Sequence, residues 1–180
     1  MKGLTRRRQS SGQAMAEFAL VAPIFFLLAF SVIEIALLMG GQNGLVASAR
    51  ELARYAAPFR VATNADATAV CNNAANPDRG FTQQLNAFMA RSIPGYLAAN
   101  TVARTVTYTW ANNPDTPTTY YVQLQIHIEY GFPLHVPLVG NLIDAFDGSS
   151  DGKFKLDATE TMRIENEGLT STYSAVSCSV

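Results

Sequence analysis

Residues able to do acid–base, nucleophilic or metal chemistry are few and scattered in this sequence. His127 and His135 are its only two histidines. One lies in an alternating stretch and the other beside prolines, and a metal centre needs more converging ligands than these supply. The run Asp147-Gly148-Ser149-Ser150-Asp151-Gly152 opens like a calcium loop. The bidentate glutamate required at the end of such a loop is replaced by Ala158, and Asp157 and Glu160 are out of register. The run therefore reads as a solvated turn. No nucleophile elbow, phosphate-cradling glycine loop or basic-aromatic patch is visible. Neither an enzyme nor a metal, cofactor, small-molecule substrate or nucleic-acid partner is expected. A formal net charge of −1 provides no global field to attract one. Cys71 and Cys178 are the only cysteines. Outside the cytoplasm they can persist as a disulfide, the alternative being two unrelated buried thiols.

Two carboxylates stand out because of what surrounds them. Glu17 precedes, and Glu34 interrupts, the run FALVAPIFFLLAFSVIEIALLM from Phe18 to Met39. As a helix this run rises about 33 Å, close to the hydrocarbon thickness of a bilayer. Lys2, Arg6, Arg7 and Arg8 cluster ahead of it, and no acid precedes Glu17. That asymmetry keeps the N-terminus cytoplasmic and sends the chain beyond residue 41 outward. A cleaved secretory signal would need a shorter apolar run, although Val46-Ala47-Ser48-Ala49 offers a plausible cleavage site. Arg6-Arg7 suggests a twin-arginine signal, but polar Gln9, Ser10 and Ser11 follow the pair.

A third reading uses Gly12-Gln13-Ala14-Met15-Ala16-Glu17-Phe18: a basic leader ending in glycine, then an acid and an aromatic at the head of an apolar helix. This resembles the cleavage motif of type IV prepilins in the form used by tight-adherence (Tad, or Flp) pili. The resemblance implies cutting by a membrane-embedded prepilin peptidase at Gly12–Gln13, leaving Glu17 and Phe18 as the fifth and sixth mature residues. The spacing also makes chemical sense by itself. Glycine lets a protease approach the backbone closely. Cleavage creates an α-amine with a reference pKa of about 8, mostly protonated at neutral pH. A charged side chain deep in the bilayer costs roughly 2.5–3.5 kcal/mol on insertion scales, so Glu17 needs a cation. The amine of an adjacent subunit is the available one, and Glu17 would then set the register between stacked helices. The plainer alternative is that Glu17 marks the headgroup boundary. Pro23 should kink or loosen the helix. Glu34 lies about 25 Å beyond Glu17 along the axis, which places it near the outer interface or against a partner subunit.

Beyond Gly40 and Gly41 the pattern becomes amphipathic. Leu45, Ala49, Leu52 and Ala56 recur at helical spacing, and Pro58 ends the run. One helix is expected over residues 13–57, with the span at about 18–39, a continuation over 42–57 and weak points at Pro23 and Gly40–Gly44. Residues 1–12 form the leader and 58–180 the domain outside the membrane. A short helix is read near Asp66–Ala75. A second is read where Phe81, Leu85, Phe88 and Met89 form a core-facing stripe. Alternation predicts strands at Thr101–Trp110, Tyr120–Tyr130 and Phe154–Glu165, with a hairpin loop at Asn112–Thr119. One apolar and one polar face indicate an antiparallel sheet with a wet side. Residues 131–147 form an apolar insert carrying Pro133 and Pro137, a poor strand, suited to contacting a subunit or the membrane.

The leader and helix, GQAMAEFALVAPIFFLLAFSVIEIALLMGGQNGLVASARELARYAA, resemble TadE-type minor pseudopilins throughout. VQLQIHIEYGFPLHVPLVG and FKLDATETMRIEN match more loosely. The resemblance implies an α+β, pilin-like fold, with a long transmembrane and amphipathic helix packed on a small antiparallel sheet domain. It implies a minor pilin of the Tad pilus, acting in its biogenesis and adhesion. Its partners would be the prepilin peptidase, other minor and major pilins and inner-membrane lipid. It would be a single-pass bacterial inner-membrane protein before reaching the pilus. The alternative is a permanently anchored envelope protein serving as assembly factor or receptor.

Overall fold

The computed structural model describes residues 6–58, 60–71, 91, 95, 103–136, 139–140, 145, 148 and 151–179, without the side chains of 6–11 and 165–168. The helix expected around Phe81–Met89, residues 72–75 of the one before it, Thr101 and Val102 lie outside these residues. So do much of the apolar insert and Asp147, Ser149 and Ser150. The described elements are α1 (Arg6–Ala56), α2 (Asn64–Cys71), β1 (Ala103–Asn112), β2 (Tyr120–Pro133), β3 (Lys153–Leu169) and β4 (Val176–Ser179).

The long helix α1 contains Pro23 and continues through Gly40, Gly41 and Gly44 without a break. It also starts upstream of Gly12. Pro23 has no N–H to offer the carbonyl of Ala19, one turn back. Ser31 and Ser48 instead return their hydroxyls to the carbonyls of Leu27 and Gly44, so neither is orphaned in apolar surroundings. Each interior glycine costs about 1 kcal/mol relative to alanine. Burial of Leu45, Ala49, Leu52, Ala53 and Ala56 immediately afterwards offsets that cost.

The chain divides into two compact units, residues 1–37 with 133–153, and 38–132 with 154–180. The second is an antiparallel four-stranded sheet in the order β3-β2-β1-β4, with the C-terminal part of α1 and helix α2. β1 and β2 pair in the register Val106↔Ile126, and β1 and β4 in the register Val106↔Cys178. Alternation sends Val106, Tyr108, Val122, Leu124, Ile126, Ile128, Leu156, Ala158 and Ile164 into the core with the buried face of α1. Gln42 Nε2 donates to the Asp157 carbonyl at 2.6 Å, and Arg50 lies 3.6 Å from Glu160. Both contacts tie α1 to β3. The expected α+β arrangement of long helix and antiparallel sheet is present. β2 runs to Pro133, three residues into the insert, and puts Phe132 in the core. Proline is tolerated there because it closes the strand.

Thr63 and Asp66 cap α2 reciprocally. The Asp66 N–H donates to Thr63 Oγ1, while Asp66 Oδ2 accepts the N–H groups of Ala62 and Thr63. Burial alone would raise the Asp66 carboxyl pKa, but these donors hold it below the ordinary carboxylate value. At the other end of α2, Cys71 forms a disulfide with Cys178 of β4 across 107 residues. Closing so long a loop removes unfolded-state entropy worth about 5 kcal/mol in the chain-entropy account. Replacing both cysteines by serine should therefore lower the thermal midpoint of the detergent-solubilised chain by well over 5 °C. A midpoint unchanged by substitution or by reductant would contradict this.

Candidate functional site

The first half of α1 carries the residues singled out from sequence. Gly12 is exposed within α1, and a Cβ built on it would meet nothing within 4 Å among the described residues. One turn on, Gln13 Nε2 donates to Glu17 Oε1 at 3.0 Å. Glu17 and Phe18 are exposed. Among the described residues the Glu17 carboxylate is met by this neutral amide and by no cation. From Phe18 to Met39 the helix turns Leu20, Ile24, Phe25, Leu28, Val32 and other large apolar side chains outward. It is the one helix among the described residues that is long and apolar enough to cross a membrane, and hardly any of its apolar window is covered by protein.

Glu34 is the exception on this surface, at 2 % exposure. The His135 backbone N–H donates to its Oε1 at 2.9 Å, and His135 Nδ1 lies 3.7 Å from the same oxygen. Both residues belong to the unit formed by 1–37 and 133–153. The structure thus places a partner for Glu34 within the same chain. Sequence reasoning left His135 in a loop, because a contact spanning 101 residues has no local signal. The one histidine in the mostly apolar stretch Gly131–Gly140 is the available hint.

Residues 12–54, beginning at the glycine ahead of the expected scissile bond, match the family of TadE-like proteins. The N-terminal helix of this chain is TadE-like. The match covers this helix and not the sheet domain; with one apolar N-terminal helix it fits a single-pass membrane protein. No curated protein and no solved structure matches the chain.

Outside the TadE-like helix, the wet face of the sheet carries one polar cluster. Lys155 Nζ lies 2.6 Å and His127 Nε2 2.9 Å from Glu129 Oε1, and His127 Nδ1 bonds Thr159 Oγ1 at 2.8 Å. Beside it Arg163 stacks over Tyr121, 4.5 Å from the ring centre. Among the described residues no three His, Cys, Asp or Glu side chains are placed to hold a metal. The hydrogen bond from Lys155, then that from His127, hold the Glu129 carboxyl below its ordinary pKa, and the bond to Glu129 raises that of Lys155. These signs fix the pH window. The Glu129 contribution to stability exists above its unfolded pKa of about 4.3 and fades as pH falls through the lower folded value. That of Lys155 exists below its unfolded pKa of about 10.4 and fades as pH rises past it. Glu129→Gln should accordingly cost a small, salt-sensitive amount of stability near neutral pH and nothing at strongly acid pH, read by denaturant titration. An equal cost at both would contradict the pairing.

Proposed function

We propose that this chain is a minor pilin, or pseudopilin, of a Tad (Flp) pilus, a structural subunit rather than an enzyme. It is stored in the bacterial inner membrane with its N-terminus in the cytoplasm and its sheet domain outside. A prepilin peptidase cuts it after Gly12, and it joins other minor and major pilins in pilus biogenesis and adhesion. One observation carries this reading. The helix matched to the TadE-like family is almost bare of protein cover, and its only wholly apolar-flanked exposed acid, Glu17, stands one turn beyond Gln13. A surface of that kind suits storage in lipid followed by packing against like helices. The amine freed at Gln13 supplies the cation that Glu17 lacks.

N-terminal sequencing of the membrane-extracted chain should give a start at Gln13. An intact Met1, or a start near Arg50, overturns the processing step. Gly12→Leu should leave the chain uncut and absent from sheared pilus fractions. If Glu17 sets the register, Glu17→Ala should still be cut but should enter sheared pili less well. A drop on the order of tenfold is expected, the factor that about 1.4 kcal/mol represents. Recovery at the wild-type level would end the register role, and absence of the wild-type chain from sheared pili would favour a permanently anchored assembly factor.

A further inference from the structure

Glu34 lies inside the bare apolar surface that the function proposed above places in lipid. On either side of it Ile33 is 55 % and Ile35 46 % exposed, and Met39, further out, is 64 % exposed. Met39 is five positions beyond Glu34, about 7.5 Å along the axis. If the hydrocarbon reaches the exposed Met39, the level of Glu34 is at or below the outer edge of the apolar core. Yet Glu34 itself is 2 % exposed. What meets it is the insert, through the N–H and imidazole of His135. An ionised carboxylate left without donors at such a depth would be driven out towards water.

His135 therefore sits at the level of Glu34 on the helix. Residues 133–153 cluster with residues 1–37 as one compact unit. The Leu134 N–H donates to the Gly152 carbonyl at 3.1 Å and closes the insert at its base. Gly140 approaches Leu134 so closely that an added Cβ would lie 3.0 Å from that residue's Cβ. From Gly131 to Ile143 the sequence has no Asp, Glu, Lys or Arg, the first acid after it being Asp144. A stretch of this composition is suited to the interfacial zone of a membrane.

We propose that the loop Leu134–Val136, at the start of the insert, sits on the outer leaflet and is fastened to the span by the contact between Glu34 and His135. Its partner is the lipid bilayer. The proposal rests on the membrane-spanning part of the function proposed above. It makes Glu34 a positioning residue that holds the loop at a set depth and thereby limits how far the helix can slide inward.

The test uses the full chain in phosphatidylethanolamine–phosphatidylglycerol vesicles. An environment-sensitive dye is placed on Val136→Cys, or on Leu28→Cys within the span, with the native cysteines kept oxidised. Lipids carry a nitroxide either on the headgroup or at the acyl-chain end. The dye at position 28 should lose emission to the chain-end nitroxide, and the dye at 136 to the headgroup nitroxide. Glu34→Leu should abolish the loss at 136 while leaving that at 28. Glu34→Gln, whose amide oxygen can still accept the His135 N–H, should retain both. Quenching at 28 without quenching at 136 overturns this proposal alone. Quenching at neither position overturns the membrane span as well. A signal at 136 that responds to protein density and not to the headgroup nitroxide means a second copy covers the loop, which also overturns it. If 136 stays quenched in Glu34→Leu, the fastening role is wrong.

Discussion

About 33 Å of apolar helix, from Phe18 to Met39, has almost no protein around it. Fourteen large apolar side chains of α1 are exposed. At about 1.5–3 kcal/mol for each full transfer, leaving them in water would cost on the order of tens of kcal/mol even when partial burial is allowed for. That exceeds the entire net stability of an ordinary domain, about 5–15 kcal/mol. The cover must come from lipid or from other apolar helices, and the arrangement of the remaining elements is compatible with both. The second half of α1 needs neither. There Leu45, Ala49, Leu52, Ala53 and Ala56 bury themselves with the sheet.

The change of cover along one continuous helix is what the glycines mark. Gly40, Gly41 and Gly44 stand between the bare stretch and the packed one, and Gly41 is already buried. They do not interrupt the helix because the residues that follow are fixed by tertiary packing rather than by helix propensity. The packed stretch is held to the sheet by polar bonds at the rim, from Gln42 and Arg50, as well as by its buried face. The disulfide works on the opposite border of the sheet. β4 has four residues and pairs with β1 only over Thr105–Tyr108, too little to hold by itself, and Cys178 secures it to α2.

Local periodicity made most of this legible. The alternation of Tyr120–Tyr130 has the inward and outward residues of β2 in their observed places, and the spacing of Leu45, Ala49, Leu52 and Ala56 marks the buried face of α1. Where a signal was short or distant, the sequence was silent. β4 is too brief for its alternation to be distinguished from chance. The run of β2 to Pro133 was hidden because proline normally argues against a strand, and only its closing position allows it. The contact of Glu34 with His135 joins residues far apart in the chain, through a backbone N–H that any residue type could provide. Only the imidazole at 3.7 Å is specific to histidine.

The two acids of the apolar stretch consequently differ in kind, although their surroundings in sequence are alike. Glu34 is covered, accepts a backbone N–H and faces an imidazole, so in this chain its charge is met. Glu17 is exposed and receives one neutral amide from Gln13. In water that difference would be slight, since exposed charges are well solvated. Against lipid it decides which acid can bind another molecule. A neighbouring helix approaching this surface finds Glu34 already engaged by the insert and Glu17 open. In the pilin we propose, contact between helices that depends on charge falls at the Gln13–Phe18 end. At the Glu34 end, sliding by one turn would separate Glu34 from the His135 N–H and imidazole.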